Sequence, residues 1–158
     1  MPREIQVVSV DNSNGELVFR ALRAINARFE DSLVNAFLGD PNSICLTAWQ
    51  KDEFAGWITG YRLQRFREVQ VLLYEIDVVD SFRQRGVATK LIEKLEESAR
   101  RLGASEIWVL TAEDNTPAMG LYAKTGFQRE RMNDVFWRLD LAGKVQGSIG
   151  TSLKKRKA

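Results

Sequence analysis

Val78-Val79-Asp80-Ser81-Phe82-Arg83-Gln84-Arg85-Gly86-Val87-Ala88-Thr89 is the stretch that decides the reading of this chain. An apolar, β-branched run from Leu72 to Val79 enters it, a basic turn containing glycine follows, and an amphipathic helix leaves it. Past Val87 and Ala88 the apolar residues fall at Leu91, Ile92, Leu95, Ala99 and Leu102, the three-and-four spacing of a helix with one buried face. Gly103, just after Arg100 and Arg101, stands where a left-handed residue ends such a helix. A strand–turn–helix of this kind aims free backbone N–H groups and the positive end of the helix dipole at one spot. Gly86 has no side chain to keep an anion from those amides, and Arg83 and Arg85 add charge. The turn reads as a site for a phosphate-bearing ligand.

Neither the dinucleotide fingerprint G-x-G-x-x-G nor the P-loop G-x-x-x-x-G-K-[ST] is present. The pattern that fits is R/Q-x-x-G-x-G/A, here Arg83-x-x-Gly86-x-Ala88. A second segment, Asn115-Thr116-Pro117-Ala118-Met119-Gly120-Leu121-Tyr122-Ala123-Lys124-Thr125-Gly126-Phe127, follows a strand-like run from Glu106 to Thr111. Thr116 and Pro117 read as an N-cap and first helical residue, and Gly126 as the stop of a short helix. The two segments together resemble the signatures of the GCN5-related N-acetyltransferases. The first resembles that family's pyrophosphate loop. The second resembles N-x-x-A-x-x-L/F-Y-x-K-x-G-F, with Asn115, Ala118, Leu121, Tyr122, Lys124, Gly126 and Phe127 all in place. The resemblance covers roughly Glu4 to Leu141.

Bulk properties agree. At 158 residues the chain is large enough for one ordinary core, and one acetyltransferase domain is expected over residues 1–141. It has no apolar run near the ~20 residues of a membrane span, so no membrane partner is expected. Met1-Pro2-Arg3-Glu4 shows no apolar segment of the secretory kind, and the expected location is the cytoplasm. The one cysteine, Cys45, sits in an apolar run and reads as a small buried hydrophobe. With no histidine, a Ser–His triad, a histidine base and histidine metal sites are excluded, and no metal is expected. The formal charge is +2, but residues 142–158 carry Lys144, Lys154, Lys155, Arg156 and Lys157 and no acid. Removing that tail, which reads as disordered, leaves 18 basic against 21 acidic residues. A short terminal basic run is usually a solvated end, so no nucleic-acid partner is expected, and a mildly acidic body favours cationic ligands.

Elsewhere, Ile5 to Val10 reads as a strand, Glu16 to Phe29 as a helix capped by Asn14 or Ser13, and Leu33 to Leu38 as a helix capped by Asp31 or Ser32. Three β-rich runs follow, Ile44 to Gln50, Phe54 to Leu63 and Val69 to Val79, with Lys51-Asp52-Glu53 as a hairpin turn. Two late strands are expected at Phe127 to Met132 and Val135 to Leu141. The order matches the family's α/β fold (in its α+β form). The resemblance implies a mixed central sheet, splayed after the fourth strand and flanked by about four helices, with acetyl-CoA in the split.

The resemblance also implies roles. Backbone amides of Gln84, Arg85, Gly86, Val87, Ala88 and Thr89, with Arg83, would hold the pyrophosphate of acetyl-CoA. The open strand edge at Ile76, Val78 and Val79 would pair with the pantetheine arm as an added strand does. Asn115 would bind that arm or a bridging water, with Ala118 and Lys124 beside it, and Tyr122 is in the position of the general acid for the departing thiolate. Glu75 is the first choice for the base, with Asp77, Glu113 and Asp114 the others. Glu75 and Asp77 share a face in a regular strand, and a bulge, usual in the family, would change which points inward.

Within the family, Tyr74-Glu75-Ile76-Asp77-Val78, Phe82 to Thr89 and Leu102-Gly103-Ala104 resemble the aminoglycoside 3-N-acetyltransferases. The chain departs from that group at Glu75, Asp77 and Asn115 and in a shorter segment around Glu30 and Asp31. Glu30, Asp31, Glu75, Asp77, Glu113 and Asp114 could form an acidic wall for a small cationic amine. An aminoglycoside is the expected acceptor. A polyamine, a protein or peptide amine, or a non-catalytic acetyl-CoA sensor are the alternatives. A homodimer is open on the same resemblance.

Overall fold

The computed structural model describes residues 4–130 and 135–142. The chain forms two compact units, Met1–Leu110 and Thr111–Ala158. The first holds a mixed sheet in the order β1-β2-β3-β4-β5: β1 (Gln6–Ser9), β2 (Ser43–Gln50), β3 (Glu53–Gln64), β4 (Val69–Val78) and β5 (Ala104–Val109). The first four strands are antiparallel neighbours and β5 lies parallel to β4. The helices of this unit are α1 (Glu16–Ala24), α2 (Asp31–Gly39) and α3 (Val87–Arg101), with a 3-10 turn at Asp80–Phe82. The second unit holds α4 (Thr116–Lys124).

Alternation along the central strands divides the core in two. One face carries Cys45 and Trp49, which pack with Val10, Val18, Ala21, Leu38 and Phe54 under α1 and α2. The other face carries Leu46, Ile58, Val71 and Leu73, all at most 1% exposed, and is covered by α3 through Val87, Leu91 and Leu95. Each of these side chains contributes about 1.5–3 kcal/mol when fully removed from water. The amphipathic spacing read from residues 87–102 therefore has its partner in the sheet.

Several boundaries differ from the sequence expectation. Helix α1 stops at Ala24, because Asn26 takes a left-handed φ of 52° and Ala27 N bonds back to Leu22 O. Phe29, whose apolarity extended the expected helix, packs edge-on against Phe19 instead. Neither expected cap acts. Gly15 is the N-cap of α1 while the Asn14 carboxamide accepts from Asp11 N, and Glu30 rather than Asp31 or Ser32 precedes α2. Helix α4 begins one residue earlier than expected, with Asn115 rather than Thr116 as cap and Thr116 as its first residue. No late strand is found among the described residues: 127–130 and 135–142 contain none, and residues 131–134 lie outside those described. Alternating apolar residues make a strand only where a neighbour completes the ladder, and none pairs with these segments among the described residues. The basic tail from residue 143 on also lies outside the described residues.

Candidate active site

The sheet divides within β4. Its pairing with β5 runs from Val69 opposite Ala104 to Leu73 opposite Val109 and ends there, while pairing with β3 continues to Val78 opposite Gly56. Residues 74–78 thus have one strand neighbour among the described residues and an open edge on the other side. At the same place the β3–β4 register slips, since Thr59 faces Glu75 and Gly60 faces Leu73. Tyr74 is the extra residue of a β-bulge. A small neighbour is needed here: a Cβ on Gly60 would lie 2.5 Å from Leu72 O.

The open edge can be read group by group. Val79 N donates to Ala55 O at 2.9 Å. Antiparallel alternation then turns the N–H groups of Val79 and Asp77 toward β3, and those of Val78 and Ile76 toward the open side. Val79 therefore departs from the expectation, because its N–H is committed to the sheet. Val78 is engaged by neighbouring side chains: its N–H donates to Asp77 Oδ1 at 3.0 Å, and its carbonyl accepts from Arg83 Nε at 3.3 Å. Ile76 and Val78 are the two residues that present pairing groups to an added strand.

Beyond Val79 the 3-10 turn buries Phe82 at 4% exposure, a packing role. Gln84 and Gly86 then take left-handed φ values of 57° and 79° on either side of Arg85. These two reversals fold the turn against the start of α3. The first helical bond is Lys90 N to Gly86 O, so the N–H groups of Val87, Ala88 and Thr89 precede any intrahelical acceptor. A Cβ on Gly86 would meet nothing within 4 Å. The loop thus combines unpaired donors, the positive end of a 15-residue helix and open space, which fits a diphosphate. Arg83 is exposed and paired with Asp80 at 2.9 Å, and Arg85 lies over the Phe82 ring at 5.0 Å with Nη1 3.4 Å from Ser81 O. Both cations sit on the rim of the loop, held but still accessible.

Glu75 and Asp77 follow the bulge and keep regular register, opposite Thr59 and Trp57, so they share one face. Thr59 in turn faces Cys45. The negative charge of Glu75 adds to burial in pushing the Cys45 thiol up to about 12, burial being the larger cause. Both carboxylates are half-buried. Glu30 and Asp31 lie exposed at the entry to α2.

In the second unit, Asn115 Oδ1 accepts from Ala118 N at 3.4 Å and its Nδ2 reaches Thr111 Oγ1 at 3.4 Å, so this side chain caps α4. Tyr122 is half-buried on α4 with its ring 5.3 Å from Phe127, and burial pushes its hydroxyl up to about 12. Across the ordinary pH range it is a neutral O–H donor. Glu113 is bound by Arg129 at 2.7 Å, Asp114 is exposed, and Lys124 is exposed in the last turn.

Sequence reasoning did not single out the aromatic side chains of β3 and β4. Tyr74, 44% exposed, meets Tyr61 edge-on at 6.0 Å, and Tyr61 meets Phe37 of α2 at 5.8 Å. The signal was present: inward apolar positions change from odd (Val69, Val71, Leu73) to even (Ile76, Val78) across Tyr74-Glu75, the mark of a one-residue slip.

The sheet thus opens directly beside a helix entry whose first N–H groups precede any intrahelical acceptor. The acetyltransferase (GNAT) family model matches residues 15–127, and the chain belongs to that family. The uncharacterized N-acetyltransferase YvbK of Bacillus subtilis (strain 168) is 32% identical over 93 residues, 59% of this chain. The match spans 58% of that relative's own length. Among solved structures, the aminoglycoside acetyltransferase meta-AAC0020 from an uncultured soil metagenomic sample, in complex with sisomicin, superposes with a TM-score of 0.76 at 16% identity. The superposition covers 86% of this chain and 97% of that one. The enzyme AAC(6')-Iy, in complex with the bisubstrate analogue CoA-S-monomethyl-acetylneamine, superposes with a TM-score of 0.69 at 22% identity, covering 87% of this chain and 99% of that one. These likenesses establish the fold, and GNAT enzymes use acetyl-CoA.

Proposed function

We propose that this chain transfers the acetyl group of acetyl-CoA to an amine of an aminoglycoside, at the 3-amine of the deoxystreptamine ring as the sequence resemblance implies. The observation that carries the acetyl-CoA part is the loop from Gln84 to Thr89, with its two left-handed residues and open helix amides, beside the open edge at Ile76 and Val78. The diphosphate takes the loop and the pantetheine amides take the edge, displacing Asp77 and Arg83 from Val78. The acceptor amine loses a proton to Glu75, directly or through water, and attacks the thioester carbonyl. A C–N bond forms and the C–S bond breaks, with Tyr122 donating its hydroxyl hydrogen bond or proton to the departing thiolate. The acidic surplus of residues 1–141 and the Glu75–Asp77 face support a cationic acceptor. The cytoplasm is the compartment where acetyl-CoA and such antibiotics meet.

The test is a coenzyme A release assay with acetyl-CoA and a panel of aminoglycosides, polyamines and basic peptides, followed by mass and NMR assignment of the product. Turnover on an aminoglycoside with acetyl at the 3-amine is the expected result. Modification at another position corrects the regiochemistry. Turnover only on a polyamine or peptide overturns the acceptor. Tight coenzyme binding without turnover on any amine overturns the enzyme reading in favour of a sensor.

A further inference from the structure

Tyr74 is conspicuous energetically. It sits between Leu73, 1% exposed, and the half-buried Glu75, yet keeps 44% of its surface in water. A tyrosine with only a packing role in a central strand would be buried like its neighbours. The bulge places it outside the ladder, at the first residue past the point where β5 leaves β4. Two successive edge-to-face contacts fix it: Tyr61 at 6.0 Å and 80°, then Phe37 at 5.8 Å and 83°. The result is a rigid, partly exposed aromatic surface adjoining, along one strand, the carboxylate assigned to the acceptor amine.

We infer that Tyr74, braced by Tyr61, is the specificity-determining wall for the acceptor, against which a saturated, amine-bearing ring of the aminoglycoside packs. The C–H face of such a ring lies flat on an aromatic surface, and its ammonium is attracted both to the ring quadrupole and to Glu75. A thin polymethylene polyamine offers no comparable flat face, so the wall discriminates between two cations of similar charge. This inference rests on the aminoglycoside reading and adds the side chain that selects for it.

The experiment measures sisomicin and spermidine binding to the full chain by titration calorimetry with coenzyme A present, alongside steady-state kinetics. Tyr74→Ala is expected to weaken sisomicin binding and raise its KM about tenfold. Coenzyme A affinity stays at the wild-type value. Tyr74→Phe, which keeps the ring, stays within about twofold, and Tyr74→Leu, which keeps apolar volume without a π face, behaves like the alanine variant. Thermal melting checks that each variant folds, and the leucine variant serves where alanine fails. Wild-type sisomicin affinity in both Tyr74→Ala and Tyr74→Leu overturns the inference. So does equal loss of coenzyme A affinity, which marks a structural role, or an absence of sisomicin binding to the unaltered chain. Sisomicin that binds in a Tyr74-dependent way but is never acetylated refutes the proposed reaction alone. Acetylation indifferent to Tyr74 refutes this inference alone.

Discussion

Asp77 Oδ1 lies 3.0 Å from the backbone nitrogen of the next residue, Val78, and accepts its hydrogen bond. That N–H faces the open edge of β4, so a carboxylate occupies the donor an incoming pantetheine amide would use. Asp77→Ala removes the competitor and is expected to tighten coenzyme A binding by up to about tenfold, the scale of one net hydrogen bond. Calorimetric titration reads it, and weaker binding would show that the coenzyme does not use Val78 N.

Gly86 and Gly103 make a matched pair, with φ values of 79° and 73° and open space around each missing Cβ. Alanine at either position carries the same left-handed strain, about 1–2 kcal/mol of stability. Only Gly86→Ala sets a methyl group at the anion loop. Both variants are expected to melt earlier, with coenzyme A affinity lost in Gly86→Ala and kept in Gly103→Ala. Equal affinities would detach the loop from the diphosphate.

Glu75 and Tyr122 are expected to differ in their pH signatures. Glu75→Gln removes the acidic limb of the rate profile along with most of kcat. Tyr122 has its pKa raised by burial to about 12 and stays protonated in the assay range. Tyr122→Phe should therefore lower kcat evenly across about pH 6 to 10, leaving the profile's shape unchanged. A profile unaltered in Glu75→Gln would shift the base to Asp77 or Asp114.

Thr47, 0% exposed, accepts the indole hydrogen of Trp49 at 2.9 Å. Thr47→Val keeps the shape and strands that buried donor, at an expected cost of about 1–3 kcal/mol in urea unfolding. No loss would mean that the indole finds another acceptor.

Cys45 sets an alkaline limit. Its thiol rises from 9.0 to about 12 in the fold, so between those values the native state holds a proton that the unfolded chain has lost. Its contribution is complete below pH 9.0 and is lost as pH rises toward 12, so stability falls across that window. Cys45→Ala is expected to flatten the fall in urea midpoints measured from about pH 8 to pH 11. An unchanged slope would assign the fall to other groups.

The turn at Gly86 and helix α3 were legible in the sequence because they are local: Gly86, the basic pair and the three-and-four spacing from Val87 to Leu102 act over a few turns. The parts that were not legible depend on partners distant in sequence. Asn14 looks like a helix cap but bonds Asp11 N, and the apolar pattern to Phe29 continues past the point where left-handed Asn26 ends α1. Residues 135–142 alternate like a strand but have no ladder to join among the described residues. At the candidate site, Glu75 and Asp77 could be placed on one face from spacing alone. The engagement of Val78 by Asp77 and Arg83, and the aromatic row from Phe37 to Tyr74, required the folded sheet.

The branching of the sheet at Leu73 also sets a rhythm of solvent exchange. Before the branch, β4 amides are held by a strand on either side and trade their hydrogens for deuterium only when the sheet itself opens. After it, protection alternates: Asp77 and Val79 point inward and exchange slowly, whereas Ile76, facing the open edge, is free to exchange early. Val78 falls between them, shielded only by a side chain. A ligand lying along that edge would slow Ile76 and Val78 and leave Asp77 and Val79 as they were. The strand thus carries its own isotopic record of whether the split is filled.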